Sequence, residues 1–405
     1  MSSSSEATPR TIAFFPPRLV TGGTQKHLLE VLKFLDRTRF RPIVISAKSG
    51  GELGRAIVAA GVELVQLELG ERMLSADLVR CVRETAAVFR ERHVDVVQCF
   101  QWRPALIAML AARLAGRGRI VAGRRSAPVE QGGRGLLEDL VVRLADRVVV
   151  NAEALRPRGA AGARTEVIPS GVDTEIFRPR PAGRGETRER LGLPAREAGV
   201  SVVGTVGRLE VRKGTDVLLR AAAELKKKGL SDVRVVVVGD GPLRDELPAL
   251  AARLGIADRV HMLGDRSDVH EVLGALDVFI LPSRTEGMSN ALLEAMATAL
   301  PVVATAVGGN PEVVAAETTG VLVPSDNPTA MAEAIARLLA SPATAARLGA
   351  AARVHVEERY SAPAMVRRLE TVYAAVADAA PHGSVQSAVA PAGNTPVSTD
   401  SEVYR

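Results

Sequence analysis

The stretch VFILPSRTEGMSNALLEAMATALPVVA, residues 278–304, contains one complete unit of a recurring pattern. Apolar residues at 278–281 predict a buried strand, and a polar loop containing glycine follows it. Ser289 is a residue type that caps the start of a helix, and Glu294 lies inside that helix. A second apolar strand is predicted at 302–304 after a turn. Strand, helix and strand in this order are typical of a parallel sheet with crossover helices.

The same alternation covers most of the chain in two series. A segment rich in Pro, Gly and Arg, residues 168–185, separates the series and predicts an interdomain linker. Each series predicts a doubly wound α/β domain, whose ligands bind at the carboxyl ends of the strands, so the cleft between the domains is the expected site. The predicted strands are 11–15, 42–46, 62–67, 94–98, 120–122, 147–150 and 166–168 in the first series and 200–206, 234–238, 259–262, 278–281, 302–304 and 320–323 in the second. Predicted helices include 74–92, 328–340, 343–358 and 362–377.

Composition excludes several classes of protein. The 405 residues are 47% apolar and 24% charged, which is ordinary for a globular chain. The net charge is +6, but aromatic residues make up only 3% and no nucleic-acid-reading motif occurs, so we expect no nucleic-acid partner. Cys81 and Cys99 are too few for a disulfide scaffold or a four-cysteine zinc site and favour a cytoplasmic setting. The uncharged stretch 295–311 contains prolines and glycines, and the N-terminus lacks signal-peptide features, so we expect neither a membrane span nor a leader.

Two acidic residues flank the predicted start of the helix in the opening segment. Glu286 lies in the loop before this helix, and Glu294 lies inside it. The free N–H groups near Asn290 and Ala291 are a natural phosphate site. Carboxylates on both sides of such a site can hold hydroxyl groups at the two ends of a diphosphate. Each glutamate taken alone is typical of a solvated surface.

A second loop supplies cations after the first strand of the second domain. Arg208 and Lys213 flank it, and Gly214 and Thr215 open the next helix. Two cations beside a helix N-terminus suit a pyrophosphate. The loop lacks the spacing of a Walker motif, and either residue alone is typical of a solvated basic loop. Glycine pairs at 22–23, in 238–242 and in 307–313 follow other strands, where they allow close backbone approach or form simple turns.

Together these motifs resemble the retaining glycosyltransferase family 4. The matching segments are Gly22–Gly23, 168–177, 207–214, 238–243, the Glu-x7-Glu pair Glu286/Glu294, and 308–312. The resemblance covers roughly residues 12–377 and implies the GT-B architecture, in which two Rossmann-like domains face each other across a cleft. The implied division is a disordered N-terminus at 1–10, an acceptor-side domain at 11–177, a donor-binding domain at 178–355, a helical segment at 356–378 that crosses back to the first domain, and a disordered tail at 379–405.

The resemblance also implies the chemistry. A sugar would pass from a nucleotide-diphosphate sugar, a UDP- or GDP-sugar, to a glycan, lipid-linked or small-molecule acceptor, with retained anomeric configuration and without a metal or other cofactor. Arg208 and Lys213 would bind the diphosphate and stabilise its developing charge, Glu286 would face the donor sugar, and Glu294 would hold the ribose. The implied catalytic residues are Arg208, Lys213 and Glu286. The implied donor-binding residues are Gly22, Gly23, Arg208, Lys213, Gly287, Met288, Ser289, Asn290, Ala291 and Glu294.

One position departs from the family pattern. Many members carry a histidine after the fourth strand of the first domain, and the position that matches it here is Phe100. His27 is expected on a helix surface. The substitution at Phe100 keeps open an alternative of another class, a catalytically silent nucleotide-sugar-binding protein of the same fold. A NAD-dependent oxidoreductase is disfavoured because no Gly-x-Gly-x-x-Gly opens either domain.

Five arginines are close in sequence in the first domain with no acidic residue among them: Arg113, Arg117, Arg119, Arg124 and Arg125. They predict a basic face, which would be either a solvated surface or a surface that attracts an anionic acceptor or an anionic membrane. The second interpretation adds peripheral contact with the inner membrane face to the cytoplasmic setting.

Overall fold

The computed structural model describes residues 8–16, 19, 22–46, 51–67, 76–125, 133–180, 183–194, 199–230 and 232–379. Seven strands form the first sheet: β1 (Arg10–Phe15), β2 (Phe40–Ser46), β3 (Glu63–Gln66), β4 (Val94–Cys99), β5 (Arg119–Arg124), β6 (Arg147–Val150) and β7 (Thr165–Val167). They pair in parallel in the order β3-β2-β1-β4-β5-β6-β7. The helices of this domain are α1 (Gly23–Phe34), α2 (Gly51–Ala59), α3 (Ala76–Glu91), α4 (Trp102–Ala115), α5 (Gly133–Leu144) and α6 (Ala160–Ala163).

The second sheet has six strands: β8 (Ser201–Val206), β9 (Val233–Val238), β10 (Val260–Gly264), β11 (Val278–Leu281), β12 (Val302–Thr305) and β13 (Val321–Val323). They pair in parallel in the order β10-β9-β8-β11-β12-β13. The remaining helices are α7 (Arg184–Arg190), α8 (Thr215–Lys227), α9 (Glu246–Arg253), α10 (Val269–Ala275), α11 (Asn290–Ala297), α12 (Asn310–Val313), α13 (Pro328–Ala340), α14 (Pro342–Arg359) and α15 (Ala362–Asp378). The predicted pair of parallel α/β domains is confirmed.

Both faces of the first sheet are covered, as a parallel sheet requires. Helices α3, α4 and α5 pack on one face, while α1, α2 and the C-terminal helix α15 pack on the other. The chain therefore returns to the first domain after completing the second. Tyr373 of α15 is fully buried there, and its ring packs edge-on against Phe14 and Phe40.

The element predictions hold closely where the structure describes the chain. Each predicted strand is present, with ends within two residues of those expected. Arg10 was expected in a disordered N-terminus, which is wrong: its backbone is in register with Phe40 in β2, and its guanidinium pairs with Asp378. The predicted disorder of residues 1–7 and 380–405 lies outside the described residues. Within the described ranges, no helix combines the length and apolar character that crossing a bilayer requires.

Candidate active site

Glu286 lies in the loop between β11 and α11, at the carboxyl edge of the second sheet. Its side chain is buried, and its Oε1 accepts hydrogen bonds from Ser283 Oγ at 2.7 Å and from Lys213 Nζ at 2.6 Å. Arg212 Nη1 lies 4.0 Å from the other carboxylate oxygen. The fold therefore brings the predicted residues Lys213 and Glu286 into direct contact across 73 positions of sequence.

Arg284 fixes the short turn that carries Lys213. Its Nη1 donates to the carbonyl of Val211 at 2.6 Å, and its two terminal nitrogens each lie 2.8 Å from a carboxylate oxygen of Asp216, in the first turn of α8. Burial alone would raise the pKa of Asp216, but the hydrogen bonds and charge of Arg284 outweigh it and lower that pKa. This bidentate pair holds the loop of β11 to the start of α8. Arg284 was not predicted as a site residue, because nothing in the sequence except its position in this loop distinguishes it from a solvated surface arginine.

Arg208 follows β8 and is 60% exposed. Its Nε lies 3.7 Å from Glu210, and among the described residues no direct contact links it to Glu286. The loop that carries it lies against the glycine segment 238–242. Gly239 has a φ of 129°, and a Cβ there would lie 1.9 Å from the carbonyl oxygen of Gly207. The glycine is thus required for the close backbone approach, while a diphosphate-binding role for Arg208 stays a prediction.

The start of α11 faces the first domain. Ser289 Oγ accepts a hydrogen bond from the backbone N–H of Leu292 at 3.4 Å, which confirms the predicted cap. Asn290 Nδ2 donates to the carbonyl of Gly23, the first residue of α1, at 3.1 Å. Gly22 is the position before that helix. The N-termini of two helices, one from each domain, therefore meet at the cleft, and this arrangement suits an anion.

Glu294 is paired across the cleft. It is 4% exposed, and its Oε1 lies 2.9 Å from Nζ of Lys26 on α1. Its second oxygen is buried without a hydrogen-bond partner among the described residues. One oxygen of the carboxylate that we expect to hold the donor ribose is thus paired with a first-domain lysine, and the other is available to a ligand hydroxyl.

Two further charged residues of α1, Glu30 and Lys33, lie near this ion pair. Lys33 pairs with the buried carboxylate of Asp173 in the segment between the domains. Glu30 lies between the two lysines, and its pKa is raised from 4.5 to about 7 by burial first, then by the negative charges of Asp173 and Glu294, against the opposing charges of Lys33 and Lys26. This part of α1 therefore contains a carboxyl group that titrates near neutral pH.

The segment 307–313 packs closely against residues 282–289, the loop between β11 and α11, which we call the donor loop after its expected role. Its glycines allow the close backbone approach that the sequence predicts. A Cβ at Gly308, whose φ is 52°, would lie 1.9 Å from the carbonyl oxygen of Glu286. The N–H of Gly309 donates to the carbonyl of Gly287 at 2.7 Å. Glu312 then accepts from two backbone N–H groups of the first domain, at 2.9 and 3.0 Å. The donor loop is packed between this segment and the first domain.

Arg125 is the first-domain cation at the donor loop. It directly follows β5, and a Cβ at Gly287 would lie 2.3 Å from its carbonyl oxygen. Its guanidinium donates to Ser170 Oγ at 2.9 Å, and the N–H of Ser170 in turn lies 3.3 Å from the sulfur of Met288. Burial lowers the pKa of Arg125 to about 10, so it stays charged at neutral pH.

Five of the fourteen buried polar atoms that lack a partner among the described residues belong to residues beside this cleft. They are His27 Nδ1, Glu30 Oε2, Arg124 Nε, Asn151 Oδ1 and Glu294 Oε2. Buried polar groups are normally hydrogen-bonded, so unsatisfied groups from both domains beside one cleft indicate a place where a polar ligand binds.

Phe100 does not reach the donor loop. It is 4% exposed and belongs to the core that α1 forms with the first sheet. Its ring packs edge-on against His27, with centroids 5.9 Å apart. The expectation that His27 lies on a helix surface is wrong, because this side of α1 faces the end of β4 and leaves the residue 7% exposed. Burial, and secondly the charge of Arg125, lower the pKa of His27, so the imidazole is neutral.

The five arginines do not form one basic face. Arg117 and Arg119 lie at the amino end of β5 and contact His93 and Asp146 respectively, whereas Arg124 and Arg125 lie at its carboxyl end. Five strand steps separate Arg119 from Arg124, which is about 16 Å. The sequence prediction failed because the cluster spans a whole strand, and only its last two members reach the cleft.

Comparison with known proteins agrees with the fold. The family model described as Glycosyltransferase Family 4 matches residues 21–176, and that described as Glycosyl transferases group 1 matches residues 188–355. The GDP-mannose-dependent alpha-(1-6)-phosphatidylinositol monomannoside mannosyltransferase of Mycobacterium tuberculosis is 31% identical over 385 residues, which cover 90% of this chain and 95% of the relative. The D-inositol 3-phosphate glycosyltransferase of Salinispora tropica is 31% identical over 400 residues, covering 87% and 80%. The chain belongs to glycosyltransferase family 4, and it is a glycosyltransferase.

Solved structures show the same architecture. A glycosyltransferase from Rickettsia africae superposes with a TM-score of 0.78 at 21% identity, covering 92% of this chain and 100% of that one. The Anabaena protein HepE in complex with UDP-glucose also gives 0.78, at 22% identity, covering 90% and 99%. These likenesses establish the GT-B fold.

Proposed function

We propose that this protein is a retaining glycosyltransferase that moves a sugar from a nucleotide-diphosphate sugar to a glycan, lipid-linked or small-molecule acceptor. The observation that carries the proposal is the direct contact of Lys213 with Glu286 in a buried loop beside the start of α11. A cation, a carboxylate and free helix amides at the carboxyl edge of a parallel sheet suit a sugar joined to a diphosphate.

The proposed roles follow from the geometry. Lys213 reaches the carboxylate of Glu286, so a diphosphate bound by Lys213 would leave the attached sugar next to Glu286. As the sugar–phosphate bond breaks, negative charge grows on the leaving diphosphate, and Lys213, Arg208 and the amides of Asn290 and Ala291 would stabilise it. The acceptor hydroxyl would then attack from the face that the diphosphate leaves, forming the new glycosidic bond and passing its proton to the departing diphosphate oxygen. Glu294 would hold the ribose after Lys26 moves away.

The mechanism needs no metal ion, since lysine and arginine charges would take the place of a cation at the diphosphate. Because one relative is named for GDP-mannose, GDP-mannose is the first donor to assay, followed by UDP-sugars.

The proposal predicts that Lys213→Ala and Glu286→Ala each lower sugar transfer, or donor hydrolysis where no acceptor is added. The expected loss is about 100-fold or more, because each variant removes a group held at the reacting centre. Lys228→Ala and Glu333→Ala are matched controls, since these residues form an exposed pair at 3.0 Å in the same domain. Equal rates in all variants would refute the proposed roles. Nucleotide binding without any turnover would instead support the catalytically silent alternative.

Peripheral membrane contact is a further part of the proposal. Along α5, Leu136, Leu140 and Leu144 are exposed on one side of the helix together with Arg143. Exposed leucines beside a cation suit the interface of an anionic bilayer. Co-sedimentation with vesicles that contain anionic lipid tests this, with Leu140→Gln expected to reduce it.

A further inference from the structure

Arg125 is half-buried at the cleft, and among the described residues it lacks the counter-charge that an arginine withdrawn from solvent normally has. Within the described ranges, no carboxylate forms an ion pair with it, and the hydrogen-bond partner of its guanidinium is a neutral hydroxyl, Ser170 Oγ. Burial is the cause of its lowered pKa, with no opposing carboxylate. Its charge also lowers the pKa of the buried His27, so that neighbour stays neutral. A partly desolvated cation without a carboxylate partner attracts an anionic ligand, whose charge would offset the lost solvation.

The position of Arg125 indicates which anion this is. The residue belongs to the first domain, whereas the proposed diphosphate groups, Arg208 and Lys213, belong to the second. Its backbone packs against Gly287, next to Glu286, which we expect at the donor sugar. An anion bound at Arg125 therefore lies beside the transferred sugar, where the attacking molecule must be placed.

Neighbouring groups extend the polar cluster around Arg125. Ser170 Oγ also accepts from Asn151 Nδ2 at 3.3 Å, and Asn151 Oδ1 is buried without a partner among the described residues. A guanidinium offers two parallel donors to a phosphate, and the free amide oxygen of Asn151 can accept from an adjacent hydroxyl. The cluster thus combines a donor group for a phosphate with an acceptor group for a hydroxyl of a polyol.

We propose that Arg125 binds a phosphate group of the acceptor, which is therefore a phosphorylated sugar or polyol, either free or as a lipid headgroup. This inference rests on the proposed function, because it places Arg125 relative to the donor sugar.

The test is a titration of GDP-loaded protein with D-inositol 3-phosphate and with unphosphorylated inositol. We expect the wild type to bind the phosphate ester at least 10-fold more tightly, and Arg125→Gln to lose this preference, with a 10- to 100-fold weaker affinity for the ester. Arg125→Lys retains part of the preference and shows that the site is intact. Arg117→Gln, at the opposite edge of the sheet, is the matched control and binds like the wild type. Vesicles of phosphatidylinositol, compared with phosphatidylcholine, form the second arm and distinguish a lipid headgroup from a free phosphate.

Three outcomes would overturn the proposal: unchanged anion affinity in Arg125→Gln, loss of GDP binding instead of anion binding in that variant, or no anion binding to the wild type in either arm. The proposed function is tested separately, by measuring GDP binding to the wild type. Inorganic phosphate is also titrated without nucleotide in a Lys213→Ala background, where the proposed diphosphate site does not contribute. That measurement decides the role of Arg125 even if GDP fails to bind.

Discussion

Glu286 in the loop before α11 and Glu294 on α11 are each paired with a lysine, but the lysines come from different domains. Glu286 is held by Lys213 within the second domain, whereas Glu294 is held by Lys26 of the first. If a donor ribose binds Glu294 as proposed, it would compete with Lys26, and donor binding would exchange an interdomain ion pair for hydroxyl contacts. The residues that bind the donor would thereby also affect how firmly the two domains hold together.

Glu30 gives this contact a pH dependence. Its pKa in the folded protein is about 7, against 4.5 ordinarily, so between these values the folded state holds a proton that the unfolded state has lost. Stability therefore falls as pH rises through this window, by at most about 3 kcal/mol. We expect Glu30→Gln, which is always neutral, to remove that part of the fall, measured by urea denaturation at pH 5 and pH 7.5. The exposed Glu166→Gln should keep it, and identical pH dependence in the two variants would contradict the assignment.

At the scale of elements, α15 is the last helix in the chain but a structural part of the first domain. Its Tyr373 is fully buried against β1 and β2, and the hydroxyl lies 3.3 Å from Gln98 Oε1 on β4. The helix therefore ties the end of the chain to the core of the domain in which the chain begins.

This packing predicts that Tyr373→Ala destabilises the first domain by about 3–5 kcal/mol, since it leaves a large cavity. Tyr373→Phe keeps the packing and should cost only about 1–2 kcal/mol for the lost hydrogen bond. The chain has a single tryptophan, Trp102, on α4 of the first domain, so its fluorescence during urea denaturation reports on that domain. If Tyr373→Ala left the fluorescence midpoint unchanged, α15 would not support the first domain.

For the whole molecule, regular elements were predictable from sequence because buried parallel strands are continuous apolar runs. Only the family resemblance assigned Lys213 and Glu286 to the same site, and their direct contact across 73 residues was not predicted. Contacts between the domains were not predictable. Lys26 carries no local signal, and Arg125 was marked only as one member of the arginine cluster. The roles of both depend on how one domain meets the other. The prediction that the five arginines form one basic face was wrong for a related reason, because residues close in sequence along a strand can lie at its opposite ends.

The central claim is that the second-domain loops bind a nucleotide sugar. The direct measurement is the thermal shift of the wild type, Lys213→Ala, Glu294→Ala and Lys228→Ala with GDP-mannose, UDP-glucose and ADP-glucose. A ligand at 100 times its dissociation constant adds about 2.7 kcal/mol of stability, a readily measured shift. We expect at least one nucleotide sugar to stabilise the wild type and Lys228→Ala equally, and Lys213→Ala and Glu294→Ala much less. No shift with any nucleotide sugar, or equal shifts in all four proteins, would contradict the claim.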